Sequence, residues 1–334
     1  MRLHGKKRKH DFDEDKDEDL PPGPSCIEEF LAWPSEFKEN ATEEEKHRIL
    51  HLLMNRIWTI GDYSGAASEM EALGRPLKEL VQHCGWHGLL PDDYLRHCRV
   101  CDCGREPLNV LTALAQKEAA HNMCVFSNLL YHMEPVAYAY LQRRIAEIPE
   151  HAHPDDRADK FEEIEKWIRI NRDWIYDKDR KVPCSSHHKE CPVSPLMDPT
   201  VDYNNDNDEF HVRPTVVVTG GVTCNAWSRQ NQKRSRYSHD SELPHASFMH
   251  ERVVRAKQLL EDVVFVECVV GYDKENKFHL PLAETHHSIG TGINPKQRGD
   301  AHRISCFLFF HSRTAYVKQK YYTCAWTPNK VFQR

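Results

Sequence analysis

Apolar positions along this chain follow two alternating rhythms. Short aliphatic or β-branched runs occupy residues 57–60, 98–102, 123–126, 216–218 and 262–267. Between them, apolar residues recur at helical spacing. Thr42 and Glu45 have the form of a capping box, and the helix they open carries Ile49, Leu50, Leu52, Leu53 and Ile57. Met70, Leu73, Leu77 and Leu80 mark a second helix, Leu108, Val110, Leu111 and Leu114 a third, and residues 244–260 a later one. Residues 135–176 read as helical, with an apolar stripe through Phe161, Ile164, Trp167, Ile168 and Trp174. Residues 181–208 are polar and proline-rich and read as loop. Runs at 303–310 and 315–322 complete the expected strands. Strands alternating with helices predict an α/β fold built on a mostly parallel sheet.

The most informative stretch is 216–228. Three consecutive valines predict a strand buried on both faces, and Gly220 and Gly221 let the chain leave it sharply. Cys224 then falls at the carboxyl edge of the sheet, where open α/β folds bind ligands. The next strand, after one crossover helix, ends in Glu267. A thiolate is a strong nucleophile and a neighbouring carboxyl group is an acid, so this pair is the candidate chemistry. Earlier in the chain, the run 57–60 leads into Gly61-Asp62-Tyr63-Ser64-Gly65-Ala66-Ala67-Ser68 and then a helix, a unit that presents backbone N–H groups to a ligand. Asp102 ends the second expected strand, where nucleotide-binding sheets hold a ribose hydroxyl.

Composition narrows the class. Hydrophobic residues make up 40% and charged residues 29% of 334 residues, and no run is long enough to span a membrane. Twelve scattered cysteines fit reduced thiols better than a disulfide scaffold. The net charge of −6 argues against a uniformly basic surface, yet basic residues cluster locally. Lys6 to Lys9 form a basic quartet that reads as a nuclear import signal, followed by an acidic block. Residues 1–40 are expected to be a disordered charged tail.

These motifs resemble the DNA (cytosine-5) methyltransferase family, in particular its divergent dinoflagellate and algal-type members. Thr223-Cys224-Asn225-Ala226-Trp227-Ser228 is similar to the family's nucleophile motif, Glu267-Cys268-Val269 to its Glu-Asn-Val motif, and Ser64-Gly65-Ala66 to its cofactor turn. The resemblance implies a Rossmann-like S-adenosylmethionine-dependent methyltransferase sheet with flanking helices over residues 41–326. Within it, the cofactor half would span 56–130, a helical insertion 134–180 and the nucleophile half 212–322. Residues 327–334 would form a tail, with no target-recognition domain. It further implies that Cys224, Glu267, Arg298 and Arg303 are catalytic. Ser64, Gly65, Ala66, Asp102, Asn128 and Leu129 would hold S-adenosylmethionine. Ser228, Arg229, Lys233, Arg234 and Arg236 would meet the phosphates of DNA, the expected partner.

Thr223 stands where the family has proline, Cys268 where it has asparagine, and Asn128 where it has an acid. A catalytically degenerate nucleic-acid- or cofactor-binding remnant and an RNA (tRNA) cytosine-5 methyltransferase are therefore the alternatives within this fold. A zinc module is the alternative outside it. His83, Cys84, His87, His97, Cys98, Cys101 and Cys103 form one Cys/His cluster, and Cys184, His187, His188 and Cys191 another. The primary reading assigns no metal ligand.

Overall fold

A computed structural model describes residues 33–65, 68–117, 122–197, 213–221, 236–269, 286–291 and 304–311, with backbone alone from 267 onward. Helices α1 (Trp33–Asn40) and α2 (Glu43–Met54) lead into β1 (Ile57–Asp62). Then come α3 (Ser68–His83), α4 (Pro91–Tyr94), β2 (Leu95–Cys101), α5 (Arg105–Lys117) and β3 (Cys124–Phe126). Helices α6 (Pro135–Ala146) and α7 (Pro154–Ile175) precede a hairpin of β4 (Lys181–Cys184) and β5 (Lys189–Pro192). The remaining elements are β6 (Thr215–Gly221), α8 (Glu242–Lys257), β7 (Val263–Val269), β8 (His286–Thr291) and β9 (Ile304–His311).

The described strands make a seven-stranded sheet in the order β3-β2-β1-β6-β7-β9-β8. The five strands from β3 to β7 run parallel, as the alternation predicts, while β9 is antiparallel to both of its neighbours. β1 is buried along its whole length. Its odd positions share a face with Val217, packed over Leu53, Val81, Tyr94 and Leu95. Trp58 and Ile60 face the other way with Val216, Val218, Phe248 and the hairpin's Val182 and Val193. The valine run is thus packed on both faces, the burial its composition requires.

Several boundaries differ from the sequence reading. Of the tail expected over 1–40, residues 1–32 lie outside the described residues and 33–40 form α1, whose last turn is closed by Ala41 N donating to Phe37 O and which is tied by Ser35 to His83 at 3.0 Å. The capping box forms as expected, with Glu45 N to Thr42 Oγ1 at 3.2 Å and Thr42 N to Glu45 Oε2 at 2.8 Å. The long helical stretch is two helices, broken before Pro154. Its Leu141, Phe161, Ile164 and Ile168 share one apolar cluster with Leu243 and Val254 of α8. Residues expected as loop form the β4–β5 hairpin, and the strand expected at 262–267 continues to Val269. β8 lies in a stretch whose polarity predicted no strand, and the run 315–322 lies outside the described residues. In β2, the register against β1 passes from His97 to Arg99 and skips Cys98. This bulge puts Cys98 in the same apolar cluster as Cys101, a pairing that strict alternation forbids.

What fixes the carboxyl end of β1 is electrostatic. The buried Asp62 carboxylate accepts from the Arg99 guanidinium at 2.8 and 2.9 Å and lies 3.2 Å from Arg252 of α8. Arg252 also pairs with Glu251 at 2.8 Å and Glu261 at 3.0 Å, and Glu251 meets His132 at 3.0 Å and Arg255 at 3.4 Å. Burial raises the free energy of the Glu251 charge, but Arg252, His132 and Arg255 outweigh it and hold the carboxyl well below its usual range. Burial lowers the His132 pKa, leaving the ring neutral, and pushes Glu261 up to about 7.

Glu251→Gln leaves Arg252 and Arg255 short of a counter-charge and is expected to lower unfolding stability by about 3–5 kcal/mol in urea titrations at neutral pH. A depressed folded-state pKa contributes stability above the ordinary value of 4.5 and loses it as pH falls through the folded value. Below pH 4.5 the variant should therefore lose stability less steeply than the parent; parallel curves would refute this. Glu261 acts in the opposite sense between 4.5 and about 7, so the lower window isolates Glu251. A second expectation concerns Gly220, where a Cβ would lie 2.6 Å from the Phe248 ring. Gly220→Ala should cost about 1–3 kcal/mol, partly recovered in Gly220→Ala/Phe248→Leu, and an additive double mutant would exclude this contact as the cause.

Candidate functional site

The strand order reverses direction between β1 and β6, so the crevice outside their carboxyl ends is where a sheet of this kind accepts a ligand. Backbone hydrogen bonds lace the adjoining strand ends together. Ser64 N donates to Cys101 O at 3.1 Å, and Asp102 N donates to Phe126 O at 3.2 Å. The Asp102 carboxylate accepts from Gly65 N at 2.9 Å with one oxygen and from Gly104 N at 2.8 Å with the other. The turn after β1 and the acid after β2 are therefore one unit, as their sequence positions predict.

The turn itself is strained. Gly65 has φ +53°, which glycine tolerates, but Tyr63 has φ +59°, costly for a bulky side chain. Tyr63 is held by edge contacts to Phe248 at 5.9 Å and His245 at 5.8 Å, both on α8. Burial pushes its phenol well above the usual range, so it stays protonated. The Tyr63 and Ser64 hydroxyls are both buried and find no hydrogen-bond partner among the described residues. Two such groups at a strand-end turn are what a polar ligand would satisfy.

The other expected cofactor residues divide. Asn128 is at the same edge, but its side-chain oxygen caps the following 3₁₀ turn by accepting from Leu130 N at 2.9 Å. Leu129 is buried in the central apolar cluster and packs rather than lining the edge. Ala66 lies outside the described residues.

Of the expected catalytic residues, Glu267 sits in β7 directly across from Gly221 of β6. Cys224, three positions beyond Gly221, lies outside the described residues, as do Arg298, Arg303, Ser228, Arg229, Lys233 and Arg234. Arg236 opens a 3₁₀ turn before α8. The register brings Asp62 beside Gly220 and Glu267 beside Gly221, so the ends of β1 and β6 are level with Glu267, two residues before the end of β7.

A second grouping lies where the hairpin meets β3. The donor atoms of Cys124, Cys184, His187 and Cys191 all lie within 4.8 Å of one another. The second Cys/His cluster is thus assembled in part, with Cys124 in place of His188. His188 instead takes φ +53° in the hairpin turn. Hydrogen bonds from Cys124 and Ser186, opposed by burial, hold the Cys184 thiol down to about 4. The first cluster is not assembled among the described residues. There His83 binds Ser35, His97 Nδ1 lies 2.7 Å from Thr59 Oγ1, and Cys98 and Cys101 are core residues.

Sequence reasoning missed Asp62, Arg99, Glu251 and Arg252 as a buried set, and missed Cys124. An Arg-rich helix reads as solvated, and a lone cysteine opening a strand reads as core. Comparison with protein-family models and with curated protein sequences finds no match.

Proposed function

We propose that the chain is a methyltransferase domain that holds S-adenosylmethionine at the carboxyl edge of β1 and β2 and acts on C5 of cytosine in DNA. The observation that carries this reading is the Gly65–Asp102 pairing at the carboxyl ends of β1 and β2, beside the switch point of a sheet ordered 3-2-1-6-7-9-8. Five parallel strands flanked by helices support a Rossmann-like sheet of the kind the resemblance implies. The residues fit the cofactor. Asp102 is placed to accept from ribose hydroxyls, and among the described residues the Tyr63 and Ser64 hydroxyls have no hydrogen-bond partner and nothing lies within 4 Å of where a Gly65 side chain would project. Bound there, the cofactor supplies an electrophilic methyl group.

The chain's own residues supply the rest. The Cys224 thiolate would add to C6 of the cytosine ring, and the Glu267 carboxyl group would hold the proton at N3 so that C5 gains electron density. C5 would then take the methyl group as the sulfonium sulfur departs as a thioether, and loss of the C5 proton to water with expulsion of the thiolate would restore the C5–C6 double bond. The register of β6 and β7 supports this pairing, since Gly221 and Glu267 are partners and Cys224 follows closely in the sequence. A duplex target must first leave the stack, at about a few kcal/mol. Arg229, Lys233, Arg234 and Arg236 would meet the phosphates.

Asp102→Ala should weaken S-adenosylmethionine binding at least tenfold in calorimetry while shifting the melting temperature little; unchanged affinity would remove the cofactor site. On DNA containing 5-fluorocytosine, the parent chain with cofactor should form a covalent adduct that Cys224→Ala abolishes. Cofactor binding without any adduct would refute the catalytic assignment and leave a binding remnant.

A further inference from the structure

We propose that Cys124, Cys184, His187 and Cys191 bind one Zn²⁺ in a closed, four-ligand structural site that clamps the β4–β5 hairpin to the first residue of β3. This site is separate from the methyl-transfer edge and does not depend on that reading.

The geometry of His187 is the first support. Its Nδ1 atom lies 3.6 Å from Cys124 Sγ, 3.4 Å from Cys184 Sγ and 3.3 Å from Cys191 Sγ. One ring nitrogen offers a single in-plane proton or lone pair and cannot hydrogen-bond three sulfurs at once. A shared cation at the centre accounts for all three distances. Tetrahedral Zn²⁺ with Zn–S near 2.3 Å and Zn–N near 2.0–2.1 Å sets each sulfur about 3.5 Å from the nitrogen. The three observed separations bracket that value.

The surroundings support the same conclusion. All three cysteines are buried and free of disulfides, an arrangement that leaves soft donors packed together with no covalent reason to be there. Cys184 Sγ accepts from Val125 N at 3.4 Å, an outer hydrogen bond that stabilises a metal-bound thiolate, and Ser186 Oγ lies 3.1 Å away. Ser186 Oγ in turn donates to Met123 O at 2.8 Å, and Ser185 N to Val125 O at 2.8 Å, so both sides of the site are held by backbone. Cys184-x₂-His187-x₃-Cys191 places three ligands on one hairpin, and the left-handed backbone at His188 turns the chain between them. With four protein donors no position remains for water, which marks a structural rather than a catalytic centre.

The hairpin explains why a clamp is useful. It has two short strands, which are marginal alone in water. Yet Val182, Cys184, Cys191 and Val193 complete the apolar layer over Trp58 and Phe126, and Val193 O accepts from the buried Arg99 at 2.8 Å.

The test uses the full chain, produced without a histidine tag in zinc-supplemented cells, with metal content measured by mass spectrometry. About one zinc per chain is expected. Cys191→Ser and His187→Ala should each fall below about a fifth of that, whereas Cys103→Ser, an exposed cysteine outside the cluster, should keep it. Zinc below a tenth of an equivalent in the parent, or parental zinc in Cys191→Ser, would overturn the proposal. If the variants fail to fold, exchange of the parent into cobalt(II) decides. Intense visible bands and sulfur-to-metal charge transfer support a tetrahedral thiolate site, and a weak six-coordinate spectrum sinks it. Non-reducing peptide mapping that finds a disulfide between any two of the three cysteines would sink it equally.

Discussion

The buried ion network around Arg252 is the constraint on which the candidate edge depends. Three carboxylates, Asp62, Glu251 and Glu261, and three guanidinium groups, Arg99, Arg252 and Arg255, are enclosed with a neutral His132. Taking any one of these charges out of water alone costs several kcal/mol, so the set is tolerable only when complete. Completeness requires β1, β2, α8 and the start of β7 to arrive together. Apolar residues could fill the same volume, but they would not fix the angle at which Asp62 leaves the strand. That angle sets the strained Tyr63 turn, and with it the direction of Gly65 N–H toward Asp102.

The same logic explains why α8 is buried nearly all round, although its sequence alternates charged and apolar residues. Helical periodicity reads such a segment as an amphipathic surface helix, because charge is taken as a sign of water. Here Glu251, Arg252 and Arg255 point at partners on other elements, and the identity of those partners is a property of topology. No local pattern in residues 242–257 distinguishes the two cases. By contrast, elements whose determinants are local were legible. The Thr42 capping box, the valine run of β6 and the acid after β2 each carry their own cause, namely a reciprocal hydrogen bond, two-sided burial and a strand-end position.

The failures of the sequence reading share a physical origin. The hairpin at 181–192 alternates exposed and buried positions over only a few residues, and its prolines read as loop. Its register is set by contacts with β3, a strand far earlier in the chain. His187 and Cys124 are 63 positions apart, so three of the four ligands were visible as spacing and the fourth was visible only in three dimensions. Leu129 and Asn128 failed for the opposite reason. Position after a strand was read as access to the edge, yet one side chain is core and the other caps a turn.

β3 joins the two sites, and its brevity makes the connection mechanical. It has three residues, with Cys124 at one end and Phe126 at the other. Phe126 O receives Asp102 N, and Val125 both donates its N–H to Cys184 and accepts from Ser185. A strand this short has few ladder bonds of its own and is held in place by what grips its two ends. At the carboxyl edge the grip is Asp102, itself bound to Gly65; on the other side it is the hairpin. Loosening the hairpin would let β3 slip, and its first casualty would be the Asp102 backbone contact that levels the acid with the β1 turn. A closed metal centre remote from the reacting atoms would in this way set the affinity of the edge without touching any ligand there.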